Sequence, residues 1–121
     1  MLNKILYPEL SYKITGICFQ IQNELSRFAK EIQYAQRMEQ LLGEYKINFV
    51  REARQPYRIG EIKVSGNITD FIIEGKIIVE LKAKPIILKN DYFQTQRYLA
   101  ATDLELGLLV NFRDRYLKPK E

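Results

Sequence analysis

Three ionisable side chains in the middle of the sequence have the types and spacing to do chemistry together. Asp70 begins one apolar, β-branched segment, and Glu80 and Lys82 lie at the end of the next one. Two carboxylates beside an ammonium group can hold a divalent cation next to a polarised water. Whether the three side chains meet depends on the elements that carry them.

The two segments predict a β-hairpin, because runs of Ile, Val and Phe flank a turn that contains glycine. A loop of residues 74–76 places Ile73 opposite Ile77. In that register Asp70 faces Glu80. A slip of one residue would move Asp70 to the opposite face of the hairpin, so the prediction depends on the length of this loop.

Side chains alternate along a strand, so the same register assigns every residue of the hairpin to a face. Asp70, Glu80 and Lys82 share one face. The other face is apolar and carries Phe71, Val79 and Leu81. A charged face of this kind is also typical of a solvated salt-bridge surface, and from these residues alone that alternative stays open.

The sequence contains no histidine, which excludes several classes of site. Ser-His-Asp and Cys-His nucleophiles and histidine-ligated zinc are all ruled out. Any catalysis has to use carboxylates, Lys, Tyr or a metal ion held by oxygen atoms. Oxygen ligands favour Mg²⁺, Mn²⁺ or Ca²⁺.

The bulk properties predict one soluble domain. The 121 residues suffice for a single domain with a real core, and the net charge of +4 is compatible with a polyanionic partner. There is no apolar run long enough to span a membrane and no signal-peptide pattern. The single cysteine, Cys18, is predicted to be a small buried hydrophobe. The lack of a disulfide framework fits a cytoplasmic protein.

Apolar periodicity predicts the elements around the hairpin. Helices are expected over 11–25, 29–45 and 88–102, and extended segments over 47–58, 57–64 and 105–112. Between the first two helices, either Ser26 begins a new helix as its N-cap or one helix continues with a bend. Pro56 indicates an edge strand or a stop. The buried face of the third helix is expected to comprise Leu88, Tyr92, Leu99, Ala100 and Ala101.

The order α-α-β-β-β-α-β predicts a single compact α/β domain over residues 1–121, with a mixed central β-sheet flanked by helices. The third helix can act as a crossover that brings 105–112 parallel to the strand ending at Lys82. The basic tail, 113–121, is expected to be ordered only in part.

Asp70, the tripeptide Glu80-Leu81-Lys82 and a following helix with Gln94 and Tyr98 resemble, in this order, the PD-(D/E)XK nuclease superfamily. The Q-x-x-x-Y helix is typical of its RecB-like branch. The resemblance covers about residues 14–118 and implies a restriction-endonuclease-like fold.

More narrowly, the chain resembles the small GxxExxY family. Glu31 and Tyr34 match the E-x-x-Y part of that motif, and residues 99–112 resemble the C-terminal strand region of the family. Phe28 replaces the leading glycine, with Ser26 in place of a nearby glycine. Two histidines common in the family are replaced by Gln22 and Asp91, which could reshape the rim of the site.

The resemblance implies a Mg²⁺ or Mn²⁺ ion held by Asp70, Glu80 and the backbone carbonyl of Leu81. Glu31 would complete the site, directly or through water. Lys82 would orient the attacking water and offset charge in the transition state. Gln94 would contact that water or a substrate phosphate. These five side chains, Glu31, Asp70, Glu80, Lys82 and Gln94, are the predicted catalytic residues.

Four further residues are predicted to bind substrate: Tyr98, Tyr34, Arg97 and Lys84. Each has an ordinary structural alternative. The two tyrosines could be packing residues with a solvated hydroxyl group, and the two cations could be solvated surface residues.

These implications predict a Mg²⁺-dependent nuclease that hydrolyses the phosphodiester bonds of DNA rather than RNA. The alternative is a catalytically inactive nuclease-fold module that binds nucleic acid or another protein. A homodimer is expected by analogy with other small proteins of this fold, and no membrane partner is expected.

Overall fold

The computed structural model of the protein describes residues 7–59 and 62–121, and within 52–69 it describes the backbone alone. The described residues form one small α/β domain in the predicted order. Its elements are α1 (Pro8–Leu25), α2 (Glu31–Glu44), β1 (Phe49–Ile59), β2 (Ile62–Ile73), β3 (Ile77–Lys82), α3 (Lys89–Thr102) and β4 (Leu106–Asn111). The predicted segment 57–64 spans the end of β1 and the start of β2, and its Gly60 lies outside the described residues.

The first two helices are separate, and Ser26 ends α1. Pro8 stands at the first turn of α1, where its missing N–H costs nothing. Ser26 adopts a φ of 66°, and its amide donates to the carbonyl of Gln22 at 2.8 Å. The predicted break is confirmed. The N-cap assignment of Ser26 is wrong, because Lys30 occupies the N-cap of α2.

The hairpin loop has the predicted length. Ile73 pairs with Ile77, and the amide of Lys76 donates to the carbonyl of Ile73 at 3.0 Å. Glu74 and Gly75 both have left-handed backbones, with φ of 54° and 63°. Glycine adopts this conformation without strain, and Glu74 is held there by two hydrogen bonds to the backbone of Asn48.

The same pairing continues to Phe71 and Val79, so Asp70 and Glu80 are the next residues opposite each other. Phe71, Val79 and Leu81 are fully buried in the core shared with α1 and α2. A register slip would place this apolar set on the other face of the sheet, so core burial fixes the position of the two carboxylates.

The sheet has the order β1-β2-β3-β4 and is mixed. The first three strands are antiparallel, and β4 lies parallel to β3 with Asn111 opposite Lys82. This confirms α3 as the crossover that a parallel pair requires. It also confirms Pro56 as an edge-strand residue, within the register shift of β1 between Gln55 and Tyr57.

The buried face of α3 differs from the prediction. Leu88 and Tyr92 are exposed, and the residues that α3 buries are Asp91, Thr95 and Tyr98. The cause is a close approach to β4, where a Cβ atom placed on Gly107 would lie 2.7 Å from Thr95 Cγ2. The crossing needs a small side chain, and Thr95 provides it. Asp91 and Tyr98, which lie four residues before and three residues after Thr95, then face the sheet with it.

The sheet therefore separates two sets of helices. α1 and α2 pack on the face of Phe71 and Val79, and α3 covers the face of Glu80 and Lys82. Cys18 is buried as predicted, and burial raises the pKa of its thiol to about 12. In the basic tail, Lys120 exchanges two backbone hydrogen bonds with Leu109. None of the described helices is both long enough and apolar enough to span a membrane.

Candidate active site

The carboxylates of Asp70 and Glu80 lie side by side where the ladder between β2 and β3 ends. The amide of Asp70 donates to Glu80 Oε1 at 3.3 Å, and the amide of Leu81 donates to Asp70 Oδ2 at 2.5 Å. Each carboxylate therefore accepts a hydrogen bond from the backbone of the opposite strand. These reciprocal bonds hold two negative groups together, although like charges repel at this distance.

The ionised form of Glu80 is costly in this arrangement. The residue is 3% exposed. Burial and the neighbouring charge of Asp70 raise the pKa of its carboxyl group to about 8, and the opposing effect of Lys82 is smaller. A cation placed near these oxygen atoms would offset the cost of burying Glu80 beside a second carboxyl group.

Glu31, the first residue of α2, approaches the pair from the other side of a small cavity. Glu31 and Asp70 line this cavity of about 270 Å³ together with Arg51 and Ala35. Partial burial and the charge of Asp70 raise the pKa of Glu31, although its side chain remains largely open to solvent. The cavity gives water and small ions access to the carboxylates.

Lys82 and Gln94 complete the arrangement on the face covered by α3. Lys82 is half-buried at the end of β3, and its Nζ donates to Gln94 Oε1 at 3.4 Å. Its charge lowers the pKa of both Glu80 and Glu31, so the ammonium group lies within electrostatic reach of both carboxylates. The structure thus brings together all five residues that were predicted to be catalytic.

The oxygen atoms at this site suit a small hard cation. Across the described residues, no three Asp, Glu or Cys side chains converge closely enough to form a complete metal cage. Mg²⁺ does not need one, because it is commonly held by one or two carboxylates and keeps several waters for contacts with phosphate. Asp70 and Glu80 supply such a pair, and the backbone carbonyl of Leu81 is the further donor proposed from the sequence.

A family model described as the PD-(D/E)XK nuclease superfamily matches residues 8–120. The chain belongs to the PD-(D/E)XK nuclease superfamily. Searches of the curated proteins and of the solved structures return no significant match. Membership supports a nuclease-like function with nucleic acid as the substrate, in a superfamily whose nucleases generally use divalent metal ions.

The residue order of the hairpin fits the motif that names the superfamily. Asp70 matches its aspartate, and Glu80-Leu81-Lys82 matches the (D/E)XK tripeptide. Thr69 stands at the proline position. Because β3 alternates, Glu80 and Lys82 of this tripeptide face α3 while Leu81 faces the core.

Tyr34, one of the predicted substrate-binding residues of this PD-(D/E)XK protein, packs in the core of the domain. It is fully buried, and its ring stacks on that of Phe112 with centroids 4.2 Å apart. Its hydroxyl donates to the carbonyl of Ser26 at 2.7 Å and accepts from the amide of Ala29 at 3.1 Å. A substrate cannot reach it, which corrects the binding prediction in favour of the packing alternative.

Tyr98 is 2% exposed, so its hydroxyl is not solvated as the packing alternative supposed. Burial and the charges of Glu80 and Asp70 raise the pKa of this phenol to about 12. Its phenol is therefore within electrostatic reach of the two carboxylates and remains protonated at neutral pH. Arg97 is exposed on α3.

Lys84 forms an ion pair with Asp91, with Nζ 3.0 Å from Oδ2. Burial opposes ionisation of Asp91, but the amide of Leu88 and the ammonium group of Lys84 outweigh it and hold its pKa below the usual range. Asn111 fastens the same segment, because its side chain donates to the carbonyl of Lys84 and accepts from its amide. Lys84 is thus part of the link between β3 and α3.

Two residues near the site were not predicted from the sequence. Arg51 of β1 lines the cavity with Glu31 and Asp70 and forms an ion pair with Glu39 at 2.7 Å. No local pattern indicates it, because β1 reaches the site only through the pairing of the sheet. Asn111 is buried. The sequence feature that could have indicated it is a polar residue at the end of an otherwise apolar strand.

A larger cavity, of about 440 Å³, lies on the other side of α1. It is bordered by Tyr12, Gly16 and Ile17 of that helix and by Tyr45 after α2. No carboxylate lines it in the described part of the chain, so it offers no carboxylate pair for a divalent cation.

Proposed function

We propose that this protein is a Mg²⁺-dependent nuclease, also active with Mn²⁺, that hydrolyses the phosphodiester bonds of DNA. The observation that carries the proposal is the pair of crossed hydrogen bonds that holds the Asp70 and Glu80 carboxylates together beside Lys82. A surface salt bridge would pair opposite charges, whereas backbone hydrogen bonds here hold two carboxyl groups side by side, with Lys82 within electrostatic reach.

Each residue has a defined part in the proposed reaction. Asp70, Glu80 and the Leu81 carbonyl would hold the ion, and Glu31 would reach it through water. When bound, the divalent ion lowers the pKa of a water and neutralises charge on the scissile phosphate. Lys82 orients the attacking water and stabilises the charge that develops on the phosphate.

Gln94 is proposed to position Lys82 through the bond between Oε1 and Nζ. This bond leaves the other two N–H groups of the ammonium available for water and phosphate. The amide group of Gln94 then presents its own N–H donors towards the same space.

We assign the chain to the GxxExxY family within the RecB-like branch, on the basis of Glu31 and Tyr34. Tyr34 bonds to the turn between α1 and α2, and Glu31 is the first residue after that turn. The E-x-x-Y spacing therefore couples a buried anchor to a carboxylate at the site. A cytoplasmic homodimer is the proposed state, and light scattering of the purified protein tests the dimer.

The test is cleavage of labelled single-stranded and duplex DNA and RNA with Mg²⁺ or Mn²⁺. Lys82→Ala is expected to lower the rate by about a hundredfold or more, since it removes stabilisation of developing charge. Asp70→Asn is expected to abolish both cleavage and Mn²⁺ binding by calorimetry. Lys13→Ala and Glu105→Gln, both at exposed positions, are the charge-matched controls.

Equal cleavage by the wild type and Lys82→Ala would contradict the proposal and point to a contaminating nuclease. Binding of nucleic acid without cleavage in either metal would favour the alternative, an inactive nuclease-fold binding module. Substrate preference between DNA and RNA follows from the same assay.

A further inference from the structure

An exposed aromatic ring with two arginines beside it stands at the turn that joins α1 to α2. Phe28 is 67% exposed. The guanidinium carbon of Arg27 lies 4.7 Å from the centre of its ring, and that of Arg113 lies 5.6 Å from it. We refer to Arg27, Phe28 and Arg113 as the aromatic platform.

The aromatic platform is held by hydrogen bonds that span the chain. Arg27 Nη1 donates to the carbonyl of Arg113 at 3.3 Å, and Arg113 Nε donates to the carbonyl of Arg27 at 3.2 Å. Gln22 Nε2 donates to the carbonyls of Phe112 and Asp114 at 3.0 and 2.8 Å. These bonds hold the two arginines and the backbone beside Phe28 in place before any partner arrives.

The two guanidinium groups keep most of their binding capacity. Each carries five N–H donors, and the reciprocal bonds use one of them in each arginine. Among the described residues, neither group forms an ion pair with a carboxylate. Their positive charge and free donors suit phosphate oxygens, which guanidinium groups bind in a planar geometry.

The platform borders the proposed active site. The amide of Phe112, the residue before Arg113, donates to the carbonyl of Lys82 at 2.9 Å. On the other side, Glu31 begins α2 three residues after Phe28. The platform is therefore adjacent in the fold to the elements that carry Lys82 and Glu31.

We propose that the aromatic platform binds single-stranded nucleic acid, with Phe28 stacking on an unpaired base and Arg27 and Arg113 binding the adjacent phosphates. In a duplex the faces of the bases are already stacked, so a protruding ring gains a stacking partner only from an unpaired base. This inference rests on the proposed function and narrows its substrate to strands with unpaired nucleotides.

The test measures binding apart from cleavage, by fluorescence anisotropy of a labelled oligothymidylate and a labelled duplex in EDTA. Phe28→Ala is expected to weaken single-strand binding by about five- to a hundredfold, the loss expected for one stacked base. Phe28→Trp should retain the binding. Duplex affinity should change much less.

Tyr12→Ala is the matched control, because Tyr12 is 81% exposed and lies about 20 Å along α1 from the end that carries the platform. Its single-strand affinity should equal that of the wild type. Thermal unfolding of all variants checks that the exposed substitutions leave the fold intact.

The outcomes separate this inference from the proposed function. Unchanged single-strand binding by Phe28→Ala, in a protein that cleaves DNA, overturns the platform and leaves the nuclease standing. Loss of binding in Phe28→Ala, with wild type that binds but never cleaves, supports the platform and overturns the nuclease. A wild type that neither binds single strands nor cleaves overturns both.

Discussion

At the scale of single residues, the balance at Glu80 decides what the site can bind. Its carboxyl group is buried and adjacent to Asp70, and both effects favour the protonated form. Lys82 lies near enough to oppose them but does not cancel them. A cation bound to the two carboxylates would reduce this penalty.

The raised pKa of Glu80 predicts how stability changes with pH in EDTA. In the folded protein the group keeps its proton up to about pH 8, whereas in the unfolded chain it loses the proton near 4.5. Between these values the folded state binds more protons, so the free energy of unfolding falls as pH rises. Glu80→Gln should flatten this decline in thermal unfolding, and Glu105→Gln should not. A wild type whose midpoint rises over this range would contradict the assignment.

At the scale of elements, the contact between α3 and β4 determines where the side chains of Gln94 and Asp91 lie. Thr95 packs on Gly107, and this close approach fixes the rotation of the helix. Gln94 is then directed towards Lys82, and Asp91 towards Lys84. The position of the Lys82 ammonium group thus depends on the contact between Thr95 and Gly107, neither of which is a predicted catalytic residue.

Gly107→Ala tests this dependence. The new methyl group would lie 2.7 Å from Thr95 Cγ2, which is too close for either group to remain in place. We expect a loss of about 1–3 kcal/mol in the free energy of unfolding, the usual cost of overpacking. Nuclease activity should fall as well, because the bond between Lys82 and Gln94 is displaced.

Thr95→Ser provides the rescue, since it removes Cγ2 and keeps the hydroxyl that donates to the carbonyl of Asp91. The double variant should recover much of the stability and activity lost by Gly107→Ala. Gly16→Ala is the matched control, because nothing lies within 4 Å of its new methyl group. It should be neutral or stabilising, since alanine favours helix by about 1 kcal/mol over glycine.

The sequence was sufficient to predict the hairpin, its loop and the facing of Asp70 and Glu80. These features follow from the alternation of side chains along each strand and from a turn that contains glycine. Both are local properties of one segment. The buried face of α3 could not be predicted, because apolar spacing favoured Leu88 and Tyr92 whereas the contact at Gly107 selected Thr95. The role of Tyr34 also required the geometry of the turn, since its partners are backbone groups at Ser26 and Ala29.

At the scale of the whole molecule, the site lies where three independently held parts meet. The hairpin supplies Asp70, Glu80 and Lys82, the first turn of α2 supplies Glu31, and α3 supplies Gln94. The turn before α2 is tied to the end of β4 through Arg27 and Gln22. Only the hairpin residues are near one another in the sequence, and the rest depend on the tertiary fold.

This arrangement has a consequence for folding kinetics. Ten residues separate Asp70 from Glu80, so the entropy of closing their loop is small. The parallel pairing of β3 with β4 instead requires the chain to cross over through all of α3. Such non-local contacts form slowly. We therefore expect the two carboxyl groups to meet early, before Gln94 joins Lys82. Mn²⁺ in the refolding buffer should accelerate stopped-flow refolding of the wild type and leave Asp70→Asn unchanged, and equal acceleration of both would show that the ion acts elsewhere.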